Sequence, residues 1–138
     1  MKILFLDLDG VLMLPNQNKF NINAINNLRD ILAKTNCKIV LSSSWRISDR
    51  YLGDIKQANP DSDLNWVSNI IDVTPDLFPL SRVDEINHWL SLNPVDGYAI
   101  VDDLKLKTDN FVKTNPRLGL DSKIKDKLIF TLGAKCSA

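Results

Sequence analysis

Lys2-Ile-Leu-Phe-Leu-Asp7-Leu-Asp9-Gly10-Val-Leu12 is an apolar run that ends in two carboxylates one residue apart, with a glycine directly behind them. A buried strand would deliver both acids to its C-terminal edge, where open α/β sheets bind ligands. Strand alternation puts Asp7 and Asp9 on one side only if the strand persists, so the expectation is that the chain leaves the sheet after Asp7. The two acids then face one space from different angles. Gly10 permits the sharp turn this requires, or a close backbone approach to a bound group. Carboxylates so placed suit a hard cation such as Mg²⁺, which takes oxygen ligands. They also suit covalent phosphoryl chemistry, with one Asp as nucleophile and the other as acid and base.

The next apolar segments extend this pattern. Ile22, Ile25, Leu28, Ile31 and Leu32 recur at helical spacing, which predicts a helix over 22–34 capped by Asn21. Cys37-Lys-Ile-Val-Leu41 reads as a second buried strand and runs into Ser42-Ser43-Ser44-Trp45-Arg46. Strand, helix and strand in that span form a βαβ unit with parallel strands. A short helix is expected over 49–57 with Ser48 as its cap, then a third strand over 66–73. Ser81 caps a helix whose inner face carries Val83, Ile86, Trp89 and Leu90. Tyr98-Ala-Ile-Val101 is a fourth strand ending in Asp102-Asp103, 111–114 a short fifth, and Ile124, Leu128, Ile129 and Leu132 mark a last helix. No linker or repeat interrupts the series. The reading is an α/β, three-layer Rossmann-like fold with a mainly parallel sheet of about five strands, forming one catalytic domain over 1–138.

Three strand ends thus carry polar clusters, Asp7/Asp9, Ser42–Ser44 and Asp102/Asp103, and a parallel sheet gathers them along one edge. Carboxylates crowded there repel one another unless a cation intervenes, which Mg²⁺ would do. A base is needed to hold phosphate oxygens, and Arg82 at a helix N-terminus is the choice. Arg46 competes, with substrate contact as its other role.

These motifs resemble those of the haloacid dehalogenase-like (HAD) superfamily of phosphohydrolases. Asp7-Leu-Asp9-Gly10-Val11 matches the first motif, Ser42–Ser44 the second, Arg82 the third and Ala99-Ile-Val-Asp102-Asp103 the fourth. Ser-Ser-Trp45-Arg46, the Arg82–Leu90 helix and Lys113–Leu120 resemble more narrowly the HAD domain of multi-enzyme RNA-repair proteins. The resemblance implies a Mg²⁺-dependent phosphomonoesterase in which Asp7 becomes an aspartyl-phosphate and Asp9 serves as acid, then base. It implies phosphate binding by Ser43 or Ser42 together with Arg82. It implies Mg²⁺ ligation by Asp7, the backbone carbonyl of Asp9 and Asp102, with Asp103 ligating through water or orienting Arg82.

Substrate class follows from what the gaps between motifs lack. Neither 11–36 nor 45–81 has room for a substantial cap domain, and an open site admits the end of a large molecule. A phosphorylated macromolecule such as a nucleic-acid end is therefore expected, and Trp45 and Trp66 are candidate stacking platforms. The alternatives are a small-metabolite or nucleotide phosphatase, and a non-hydrolytic phosphoacceptor of the response-regulator type or a binding module.

Composition adds little and excludes some classes. Across 138 residues, 17 bases balance 17 acids, so global charge favours neither nucleic acid nor membrane. A basic excess over 104–127 is the local exception, with seven bases against three acids. Cys37 reads as a core residue and Cys136 as part of a tail, without metal-ligand spacing. No apolar stretch reaches membrane-spanning length, and the opening run is too short and too acidic for a signal peptide. A cytoplasmic location is expected.

Overall fold

The structure, a computed structural model, describes residues 1–133; Cys136 lies outside them. Strands β1 (Lys2–Leu6), β2 (Lys38–Leu41), β3 (Ile70–Val73), β4 (Gly97–Asp102) and β5 (Phe111–Lys113) form one sheet in the order β3-β2-β1-β4-β5. Every pairing is parallel. Helices α1 (Ile22–Thr35), α2 (Tyr51–Ala58), α3 (Arg82–Leu92) and α4 (Ser122–Thr131) supply the outer layers. The doubly wound order of response-regulator sheets puts β3 beside β1. Here β4 takes that place, so the topology departs from that alternative.

The two faces of the sheet are unequal. Leu4, Leu6, Ile39, Leu41, Ala99 and Val101 point into the larger core, with Ile25, Leu28 and Ile31 of α1, Ile55 of α2 and Leu128 of α4. Ile3, Phe5, Val40 and Ile100 point the other way, onto Ile86 and Trp89 of α3, with Val95 and Leu106 packed at the margin. Phe5 meets Trp89 edge-on at 5.5 Å, and the Trp89 indole donates to Asp72 Oδ2 at 2.8 Å, tying α3 to β3. Alternation along the strands therefore decides which residues lie beneath α3.

Local signals explain most element ends. Asn21 caps α1 by accepting from the backbone of Asn23 and Ala24, and Asn36 closes it in the left-handed region. Ser81 and Asp84 form a reciprocal capping box at the start of α3, which fixes Arg82 in the first turn. Three expectations are corrected. Ser48 does not cap α2: a 3-10 turn over Ser44–Ile47 ends at Ser48, and α2 begins only at Tyr51, after Arg50. The third strand is shorter than 66–73, because Trp66 sits in a second 3-10 turn, Asn65–Asn69. Its buried indole donates to Asn59, so Trp66 is a core residue and no stacking platform.

No cap domain interrupts the layers. The chain between β1 and β2 holds a turn and α1, and that between β2 and α3 holds the 3-10 turns, α2 and β3. Among the described residues no helix is long and apolar enough to cross a membrane.

Candidate active site

Parallel register builds the site. Leu6 pairs with Leu41 of β2 and with Val101 of β4, so the next residue on each strand, Asp7, Ser42 and Asp102, stands level with the other two. Backbone bonds hold that row: Asp7 N–H donates to Val101 O at 3.2 Å and Ser42 N–H to Leu6 O at 3.1 Å. Each follows a residue two positions back on the α3 side (Phe5, Val40 and Ile100), so alternation turns all three towards the first turn of α3.

Arg82 closes this row from above. One guanidinium nitrogen, Nη1, lies 2.6 Å from Asp102 Oδ2 and 3.5 Å from Asp7 Oδ2. The other Asp102 oxygen accepts from Leu104 N–H at 2.9 Å, which fixes that carboxylate. Asp103 completes an acidic group: oxygens of Asp7, Asp102 and Asp103 all lie within 4.8 Å of one another. Three carboxylates against one guanidinium leave two negative charges in excess, a balance that a divalent cation would satisfy. The cost of that excess is visible at Asp7. Burial first, and the Asp102 carboxylate second, push its carboxyl up to about 8, against the opposing pull of Arg82. The donor set is all oxygen and suits a hard cation.

The turn after β1 makes room for Asp103. Gly10 adopts a left-handed φ of 77°, and a Cβ there would lie 2.6 Å from Asp103 Cγ. Only glycine lets the backbone pass so close. Thr114 Oγ1–H donates to Gly10 O at 2.8 Å, a buried clamp that the sequence reading did not single out.

Asp9 stands apart from the acidic group. It is exposed, and its Oδ2 accepts from the Trp45 indole N–H at 3.2 Å. Asp9, Ser44, Trp45, Ser48 and Asp54 line an open hollow of about 390 Å³ beside the row.

The serine run divides its labour. Ser43 Oγ accepts from Trp45 N–H and caps the 3-10 turn. Ser42 Oγ is buried in the row with no hydrogen-bond partner. Arg46 is corrected from a substrate-contact candidate to a buried strut. Its guanidinium pairs with Glu85 Oε1 at 3.0 Å and donates to the carbonyls of Ser43 and Thr74. Glu85, which sequence reasoning missed, is the buried partner; its spacing from Ile86 and Trp89 on the inner face of α3 was the available signal.

A family model described as the HAD domain in Swiss Army Knife RNA repair proteins matches residues 3–124. The chain belongs to this family. It is a HAD domain, of the phosphohydrolase type, and its acidic cluster offers the donor set that a divalent metal would need. No curated protein and no solved structure gives a significant match to the chain.

Proposed function

We propose that this HAD domain is a Mg²⁺-dependent phosphomonoesterase that works through an aspartyl-phosphate. The observation that carries the reading is the level row of Asp7, Ser42 and Asp102 beneath Arg82. Asp7 Oδ attacks phosphorus as the bond to the leaving oxygen breaks, and Asp9 gives its proton to that oxygen. Asp9 then takes a proton from water, whose oxygen attacks phosphorus; the bond to Asp7 breaks and inorganic phosphate leaves. Arg82 and the unpartnered hydroxyl of Ser42 bind phosphate oxygens, while the Ser43 hydroxyl stays with its backbone partner.

Asp7, Asp102, Asp103 and the backbone carbonyl of Asp9 would hold the cation. When bound, it supplies charge compensation that keeps Asp7 ionised and draws charge from the phosphate. Gly10 leaves the space that Asp103 occupies, and Leu104 N–H fixes Asp102 before any ligand arrives.

The substrate reading is a phosphate on an accessible nucleic-acid end. The capless architecture supports it by placing no further domain over the strand edge, and the family description supports it by naming RNA repair. The test is phosphate release, with Mg²⁺ and with EDTA, from p-nitrophenyl phosphate, a phosphopeptide and oligonucleotides phosphorylated at either end. Metal-dependent release, fastest from an oligonucleotide, is the expected result. Metal-independent turnover, or none from any substrate, would overturn it.

A further inference from the structure

We infer that the hollow beside Asp9 is a leaving-group subsite that takes a nucleobase, stacked on Trp45 and read through its N–H donors by Asp54. The inference rests on the phosphatase reading above and adds the part of the substrate that the phosphate row does not contact. A general acid must reach the leaving oxygen within hydrogen-bond distance. Asp9 is that acid and it lines the hollow, so the leaving group must enter there.

The lining decides what fits. Trp45 is half-buried, whereas Trp66 and Trp89 are 2% and 6% exposed. Its indole is braced from behind by Phe20, with ring centroids 5.5 Å apart, and at its edge by Asp9. A second hollow of about 350 Å³ continues past the same two residues, Trp45 and Asp54, towards Met13 and Gln57. A braced aromatic face between two open hollows is a platform for a flat ring. The remaining lining groups of the first hollow are two carboxylates and two serine hydroxyls, with no base among them, so a leaving group rich in further phosphates is disfavoured there. Asp54 lies in the first turn of α2, is exposed, and takes part in no ion pair among the described residues. A carboxylate accepts and cannot donate. It therefore favours a ring edge that presents adjacent donors, as guanine does through N1–H and its amino group. Adenine and cytosine offer an amino group alone, and uracil a single ring N–H.

The experiment measures kcat/KM for guanosine, adenosine, cytidine and uridine monophosphates and for p-nitrophenyl phosphate, in wild type, Asp54→Asn, Asp54→Ala and Trp45→Phe. Folding is checked by circular dichroism. Quenching of tryptophan fluorescence by guanosine monophosphate, with Trp45→Phe as the control, reads the stacking without turnover. Wild type should prefer guanosine over uridine monophosphate by roughly tenfold, the discrimination of one good two-point contact. Both Asp54 variants should bring that ratio to near unity, because the ratio is taken within each variant. Quenching should disappear in Trp45→Phe. Wild-type turnover of p-nitrophenyl phosphate with the same base ratios in every variant would overturn the subsite and leave the phosphatase standing. No turnover of any ester, with Trp45-dependent quenching intact, would overturn the phosphatase reading and keep the base platform. Loss of both signals would overturn both.

Discussion

Replacing Asp7 by asparagine should stabilise the metal-free protein at neutral pH while abolishing turnover. The folded chain holds the Asp7 carboxyl at about 8 against an ordinary value of 3.8, chiefly through burial and then through Asp102. Between those two values the folded state binds a proton that the unfolded state has released. Stability due to this group is therefore greatest at pH values below about 4, falls as pH rises, and levels off above about 8. At pH 7 the group stands roughly 3 pH units above its unfolded value, at about 1.4 kcal/mol per unit, which sets an upper limit of about 4 kcal/mol. Asparagine has nearly the shape of the protonated acid, carries no titrating proton and can donate its amide to Asp102.

Thermal unfolding in EDTA at pH 4.5 and pH 7 would read the effect. The variant and wild type should unfold together at the lower pH. At the higher pH the variant should unfold at a temperature up to roughly 10 °C higher, for a chain of this size. Mg²⁺ should then narrow the gap, because wild type offers one carboxylate more to the cation and gains more from binding it. Parallel stability curves across pH, or a variant less stable than wild type at pH 7, would refute the account of Asp7 as a group strained by burial and like charge.

The two serines should separate cleanly. Ser42→Ala should cost about tenfold or more in kcat with little change in unfolding temperature, since its hydroxyl has no protein partner to lose. Ser43→Ala should cost about 1 kcal/mol of stability through its cap and much less activity; steady-state kinetics beside thermal unfolding would show the reverse order if the register argument were wrong. Arg46→Ala should destabilise by about 3–5 kcal/mol in urea unfolding, because it leaves Glu85 buried and unpaired. Replacing both partners by neutral side chains of similar length, Arg46→Met with Glu85→Gln, should recover much of that loss, which a substrate-contact role would not predict. Gly10→Ala should cost about 1–3 kcal/mol from its left-handed backbone alone. The clash of its new methyl group with Asp103 should also weaken Mg²⁺ binding, measured as a smaller Mg²⁺-induced rise in unfolding temperature.

Much of the fold and part of the site were legible because the apolar runs are short and each ends in a distinctive polar residue. The second strand ends at Leu41 where the sequence pattern puts it, and the first and fourth end within one residue of expectation, at Leu6 and Asp102. Asn21 and Ser81 announced their helices because a side-chain cap is a local event. Ser48 misled for the same reason: a capping residue cannot reveal that it closes a 3-10 turn and does not open the next helix. The choice between Ser42 and Ser43 was hidden because three serines in a row carry no alternation. Only pairing with Leu6 on the neighbouring strand shows which hydroxyl stands level with Asp7. Arg46 and Glu85 were illegible as a pair, since a guanidinium after a serine cluster looks the same whether it faces a ligand or a buried carboxylate.

The unequal layering of the sheet bears directly on the chemistry. Residues on the α1, α2 and α4 side end in a broad apolar core, whereas Asp7, Ser42 and Asp102 end on the side whose covering helix is α3. The N-terminus of α3 lies over that part of the edge, and the capping box at Ser81 holds Arg82 there. Arg82 offsets only one of the three carboxylates gathered there, and burial raises the cost of the remainder. In the proposed mechanism a divalent cation would offset it. In that mechanism Asp9, which accepts from the Trp45 indole, would stand between the phosphate and the leaving group. Substrate discrimination in this capless domain is accordingly expected from the Trp45 flank, where substitutions should change the ratio between leaving groups more than they change the dependence on metal.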